Sequence, residues 1–184
     1  MPQFVAFLRA INVGGHVVSM EKLRTLFQGM DFEGVETFIA SGNVIFQSRS
    51  KSETKLRTSI EKSLRSELGY EVATILRTVD EISEIATYEP FASSILKQAT
   101  ALNVGLIADA LSASTTRSIN RFKTEIDDFH VNGREIYWLC KIRQSDSTFS
   151  GAALERAIGT PVTFRNMNTI RRLAAKYSRS ESET

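Results

Sequence analysis

The succession of strand-like and helix-like segments predicts an α+β chain in which a βαββαβ order occurs twice. Three observations carry this. An apolar strand signal opens each half, at "FVAFL" (4–8) and "ALNVGLIA" (101–108). Each half then carries a hairpin signal, around Ser41-Gly42-Asn43 and at Asn132-Gly133. Finally, "TILRTVD" and "VTFRNMN" echo one another: a strand ends in arginine (Arg77, Arg165) just before a helix cap (Thr78, Asn166).

The elements follow in order. Residues 3–9 alternate Phe4, Ala6, Leu8 against Val5, Phe7, Arg9, a strand apolar on both faces until its last residue. Leu23, Leu26, Phe27 and Met30 form a helical stripe behind Ser19 as N-cap. "VETFIASGNVIFQS" supplies two β-rich runs around its turn. Ser50 and Glu53 have capping-box spacing, and Leu56, Ile60, Leu64 and Leu68 follow until Gly69 ends the helix. "EVATILR" is the next strand, and Thr78 with Glu81 opens another helix carrying Ile82 and Ile85.

In the second half "LSASTTRSINRF" reads as a helix, and "IDDFHV" and "EIYWLCKI" as a hairpin. "SGAALERAIG" is a short helix ending in glycine, "PVTFR" a short strand, and Ile170, Leu173, Ala174 and Tyr177 the stripe of a last helix. The resulting expectation is two ferredoxin-like subdomains with mainly antiparallel sheets and helices packed on them. Residues 1–87 form the first with its extra helix, 88–100 a linker, 101–178 the second with its C-terminal helix, and 179–184 a loose polar tail.

Bulk properties restrict the class. A chain of 184 residues with 42% hydrophobic and 24% charged residues is ordinary for a globular protein. A net charge of +2 does not by itself point to nucleic acid. The single cysteine, Cys140, cannot make an internal disulfide, which fits a reducing, cytoplasmic setting. No apolar run reaches membrane-helix length, so no membrane partner is expected.

Chemistry-bearing residues concentrate in a few places. Arg9 ends the first strand, and Asn12, Gly14, Gly15 and His16 follow in a connection longer than most βα loops. The glycines permit φ > 0, so successive N–H groups can converge on an anion, with Arg9 supplying charge and the next helix its dipole. A plain glycine turn with Arg9 in solvent is the alternative. Arg165 stands before a helix N-terminus, where a cation is unfavourable unless an anion lies between them. Asn166 reads most simply as the N-cap, whereas Asn168 can donate and accept toward a ligand edge. Arg171, Arg172, Lys176 and Arg179 make the last helix basic, which fits a solvated face or a phosphate track. Ser41, Gly42 and Asn43 suit turn chemistry.

Catalytic sets are thin. Cys140 alternates with Ile136 and Trp138 and reads as a buried structural thiol. Asp127 and Asp128, adjacent on a strand, point to opposite faces and make a poor acid/base pair. No metal-ligand spacing occurs, and no cofactor fingerprint.

"FVAFLRAINVGG", "VETFIASGNVIF" and "TFRNMNTIRRL" together closely resemble the bacterial domain-of-unknown-function 1697 family. Its pattern runs Leu-Arg-Gly-Ile-Asn-Val-Gly-Gly, then Tyr-Ile-x-Ser-Gly-Asn-Val, then Thr-x-Arg-Asn-Trp-Asn-Thr. The resemblance extends from Phe4 to about Leu173 and departs at Ala10 (Gly is usual), Phe38 (Tyr) and Met167 (Trp), the last removing a flat ring that could stack on a ligand. It implies the same pair of ferredoxin-like subdomains and no particular reaction. It marks Arg9, Asn12, Gly14, Gly15, Ser41, Gly42, Asn43, Arg165, Asn166 and Asn168 as candidate ligand-binding positions.

Three functional readings follow. The first is a small anionic ligand, phosphate- or nucleotide-like, held by the Arg9 loop, the Ser41 turn and Arg165. An enzyme would be a subset of that reading, with no nameable base. The second is a nucleic-acid-binding module using the basic last helix. The third is a structural or partner-binding protein whose Gly and Asn residues serve turns alone.

Overall fold

Phe4, Ala6 and Leu8 face one side of the first strand, and that side builds the core of the first half. In the computed structural model, which describes residues 1–39 and 42–177, these three pack with Val44, Phe46 and Leu76 from neighbouring strands. Helix α1 (Met20–Gln28) adds Leu23 and Phe27, and helix α2 (Glu53–Leu68) adds Leu56, Ile60 and Leu64. The helical stripes therefore face the sheet as their spacing requires. The sheet holds β1 (Gln3–Leu8), β2 (Glu33–Thr37), β3 (Asn43–Gln47) and β4 (Thr74–Thr78) in the order β2-β3-β1-β4, each pair antiparallel. Its other face is buried as well, through Val5, Phe7, Ile45, Ile75 and Arg77.

The second half repeats this order. Strands β5 (Ala101–Leu106), β6 (Asp127–Asn132), β7 (Glu135–Cys140) and β8 (Thr163–Asn166) form an antiparallel sheet in the order β6-β7-β5-β8. Its core gathers Phe129, Ile136, Trp138, Cys140, Leu154 and Ile119. Helix α3 (Val79–Thr87) precedes this half, α4 (Ser93–Leu96) leads into β5, α5 (Ala113–Ser118) and α6 (Gly151–Ile158) are its crossovers, and α7 (Met167–Tyr177) follows β8. Both halves are thus βαββαβ, and the ferredoxin-like pseudo-repeat is the architecture. By contact density the chain divides into two units, Met1–Ile82 with Tyr177, and Ser83–Lys176. The division falls inside α3.

The caps show where local chemistry decides boundaries. Ser19 caps α1 by accepting from the Lys22 N–H at 3.0 Å. Thr78 and Glu81 form the reciprocal box: Thr78 N–H donates to Glu81 Oε2 at 2.8 Å, and Glu81 N–H to Thr78 Oγ1 at 3.2 Å. At α2 the expected Ser50–Glu53 box is replaced by Ser52, which accepts from Lys55 N–H, while Ser50 accepts from Ser52 N–H. Two serines one residue apart compete for one role, and the one nearer the helix takes it. The second hairpin also turns one residue later than expected. Asn132 pairs with Glu135, so Gly133 and Arg134 form the loop, with Gly133 at φ 58°.

The echoed arginines occupy equivalent places. Arg77 lies on β4 opposite Val5, and Arg165 on β8 opposite Val104. Each donates from Nη1 to the carbonyl of the preceding residue, Leu76 at 2.8 Å and Phe164 at 2.9 Å. Arg77 is fully buried.

Candidate functional site

The strand β1 ends at Leu8, and its last groups tie two distant segments together. Leu8 N–H donates to Gly42 O at 2.9 Å on one side, and Arg9 N–H to Ala73 O at 2.9 Å on the other. Ile11, the one buried side chain between Arg9 and Val17, sits against Gly42 so closely that a Cβ there would lie 2.5 Å from Ile11 Cγ2. Gly42 also has φ 74°. Glycine is required here twice over, by space and by backbone hand. The Arg9 loop and the turn before Asn43 are therefore one joined surface within the first unit. Ser41 lies outside the described residues.

Strain collects on this surface. Among the described residues four non-glycines have positive φ, and Ala10 (55°), Asn12 (64°) and Ile39 (57°) all belong to these two loops. Asparagine tolerates that region, but a β-branched isoleucine there is a clear outlier, and such strain clusters at binding sites. A glycine at position 10 would relieve the strain at Ala10. Ala10→Gly is expected to raise stability by about 0.5–1 kcal/mol, the left-handed penalty less glycine's entropy, read from chemical denaturation.

Asn12 is structural: its Oδ1 accepts from Val18 N–H at 2.6 Å and closes the loop onto α1. His16 N–H donates to Val13 O at 3.3 Å, so Gly14 (φ 65°) and Gly15 (φ 86°) are the central pair of a tight turn of type I′ hand. Within the described structure the N–H groups of Asn12, Val13, Gly14 and Gly15 donate to no protein acceptor, and these residues are exposed. Arg9, half-buried, stands at the foot of this run. Asn43, fully buried, serves the hairpin by donating from Nδ2 to Phe38 O at 2.9 Å.

Arg165, Asn166 and Asn168 belong to the second unit and do not act as one group. Asn166 caps α7, its Oδ1 accepting from Asn168 N–H at 2.8 Å. Asn166 and Asn168, with Thr100 and Arg171, line a recess of about 270 Å3 at the head of that helix, and Met167 is buried there. Arg165 precedes Asn166 on the strand, so its side chain leaves by the opposite face, and it is not part of that recess. Burial pushes its guanidinium down to about 10, so it stays protonated at neutral pH. Position along the chain groups these three residues; strand alternation separates them.

A larger recess, about 840 Å3, lies at the opposite end of the first sheet and holds none of the predicted residues. Part of its polar lining has structural employment: Ser48 Oγ accepts from Ser50 N–H, Ser50 Oγ accepts from Ser52 N–H, and Arg49 pairs with Glu33 at 3.7 Å. Elsewhere Asp127 accepts from Trp138 Nε1 and Ser147 Oγ, both at 2.8 Å, while Asp128 pairs with Lys123 at 3.1 Å. Cys140 is buried, its thiol pushed up chiefly by that burial. Among the described residues no cluster of His, Cys, Asp and Glu is placed to hold a metal, and no helix is long and apolar enough to cross a membrane.

Sequence reading missed the Ile11–Gly42 contact, the burial of Arg77 and the stacking of His16 on Tyr70, whose ring centroids are 3.9 Å apart. Ile11 carried no distinguishing signal, since Val13, Val17 and Val18 share its loop.

The fold defines a class: doubled ferredoxin-like α+β proteins, here with Ile11 of the first loop seated against Gly42 at one end of the first sheet. The chain belongs to the family described as protein of unknown function (DUF1697), whose model matches residues 1–137. That span contains the Arg9 and Gly42 motifs and stops short of the Arg165 motif. The chain is similar in structure to the conserved bacterial protein SP0830 from Streptococcus pneumoniae, with TM-score 0.74, 19% identity, and coverage of 96% of this chain and 98% of that one. At that identity the likeness concerns the fold. Comparison with curated proteins gave no match.

Proposed function

We propose that this is a cytoplasmic binding protein for a small phosphate-like anion, held on the Arg9–Gly15 loop of the first unit. One observation supports the reading: among the described residues, a run of four exposed N–H groups without protein acceptors follows Arg9 in the chain, on a loop whose Ile11 is seated against Gly42. Preformed donors cost little to organise when an anion arrives. The recess at the head of α7, with Asn168 and Arg171, is a second polar surface in the other unit.

Thermal melting against phosphate, pyrophosphate, sugar phosphates and carboxylates tests this. A ligand at about 100 times its Kd stabilises by roughly 2.7 kcal/mol, a rise of about 5–10 °C for a chain of this size. Arg9→Ala is expected to abolish the rise, while the pair Asn168→Ala and Arg171→Ala leaves it in place. A rise unaffected by Arg9→Ala would remove the claim.

The exposed Arg171, Arg172 and Lys176 on α7 favour a second reading, nucleic-acid binding. It requires an oligonucleotide affinity that falls steeply with salt.

A further inference from the structure

The surface around the unspent N–H groups is not purely polar. Val13 is 62% and Val17 86% exposed, and His16 between them is exposed too. Two branched aliphatic side chains and an aromatic ring in water, one residue from a run of anion-seeking donors, make an amphiphilic surface. Inorganic phosphate would use only half of it.

The imidazole is also held in place. His16 stacks on Tyr70 at 3.9 Å with 28° between the planes, and Tyr70 packs from behind against the core of the first unit. The Tyr70 hydroxyl is buried without a hydrogen-bond partner, so the residue contributes its ring rather than a polar contact. A histidine backed by a fixed aromatic ring and still exposed offers a flat face at little entropic cost.

We infer that the ligand of this loop is a mononucleotide, its base laid on His16 between Val13 and Val17 and its phosphate on the Asn12–Gly15 N–H groups beside Arg9. A single platform accepts one base, which selects a mononucleotide over a strand needing successive stacking rings. The inference rests on the anion-binding reading and adds the flat ring that reading leaves unspecified.

Calorimetric titration of the full chain with the four common nucleoside 5′-monophosphates, their nucleosides, inorganic phosphate and a short single-stranded oligonucleotide decides it. At least one nucleotide is expected to bind about ten-fold or more tightly than phosphate, the advantage that one stacked base supplies. His16→Ala should erase that advantage and leave phosphate affinity unchanged. His16→Phe and Tyr70→Phe, which keep the ring pair, should retain it and also show that the loop still folds. Phosphate binding with no nucleotide advantage, or an advantage that survives His16→Ala, overturns the inference while sparing the anion site. Loss of all binding, phosphate included, overturns both, and binding of oligonucleotides alone replaces the mononucleotide with a strand.

Discussion

Arg77→Ala should unfold the protein about 10 °C earlier than the native chain, corresponding to roughly 3–5 kcal/mol. Arg77 heads the fully buried side chains by volume, and its Nη1 holds the Leu76 carbonyl at 2.8 Å. Truncation leaves a cavity the length of an arginine and strips a buried acceptor of its donor, two losses that add. A volume-matched apolar residue removes the charge without leaving the cavity, and buried charges are often replaceable in this way. Arg77→Met is therefore expected to recover more than half of the loss. Denaturant melts of both variants check this; an Arg77→Ala protein within about 1 kcal/mol of the native chain would show that packing, not the arginine, maintains this strand. Arg165, its counterpart in the second unit, is only partly buried, so the same truncation there should cost less.

Gly42→Ala is the second large effect. A methyl group at Gly42 would meet Ile11 Cγ2 at 2.5 Å and Leu8 O at 3.2 Å, with φ held at 74°. Overpacking and the left-handed backbone together cost about 3 kcal/mol. More telling is where the cost falls. To make room, Ile11 must leave its seat, and the Arg9–Gly15 loop moves with it. Gly42→Ala should therefore weaken anion binding at Arg9 although Gly42 presents no side chain to a ligand. Ile11→Ala combined with Gly42→Ala removes the clash and should restore part of the stability. Because it also removes the seat, binding should stay weak.

Much of the architecture was legible because local rules and tertiary packing agree here. The stripes of α1 and α2, the cap at Ser19 and the Thr78–Glu81 box all depend on residues within one or two turns. Boundaries slipped where two residues could fill one role, Ser50 or Ser52 at the cap, and where the second hairpin could turn at Asn132–Gly133 or Gly133–Arg134, since only the folded register breaks such ties. Of the candidate residues, Arg9, Asn12, Gly14, Gly15, Gly42 and Asn43 fall in the first unit and Arg165, Asn166 and Asn168 in the second, a division the sequence motifs do not show. Asn12 and Asn43 proved to be loop fasteners, because a short amide bonds its own backbone as readily as a ligand. Arg165 and Asn166 are consecutive in sequence yet leave opposite faces of β8. The Ile11–Gly42 contact joins segments separated by a helix and a strand, a distance no local pattern spans.

The most direct measurement is backbone amide NMR of the labelled protein titrated with inorganic phosphate. Saturable shifts at Asn12, Val13, Gly14 and Gly15, absent in Arg9→Ala, are the predicted result. Unmoved resonances there, or shifts confined to Asn166–Arg171, would contradict an anion site on the Arg9 loop.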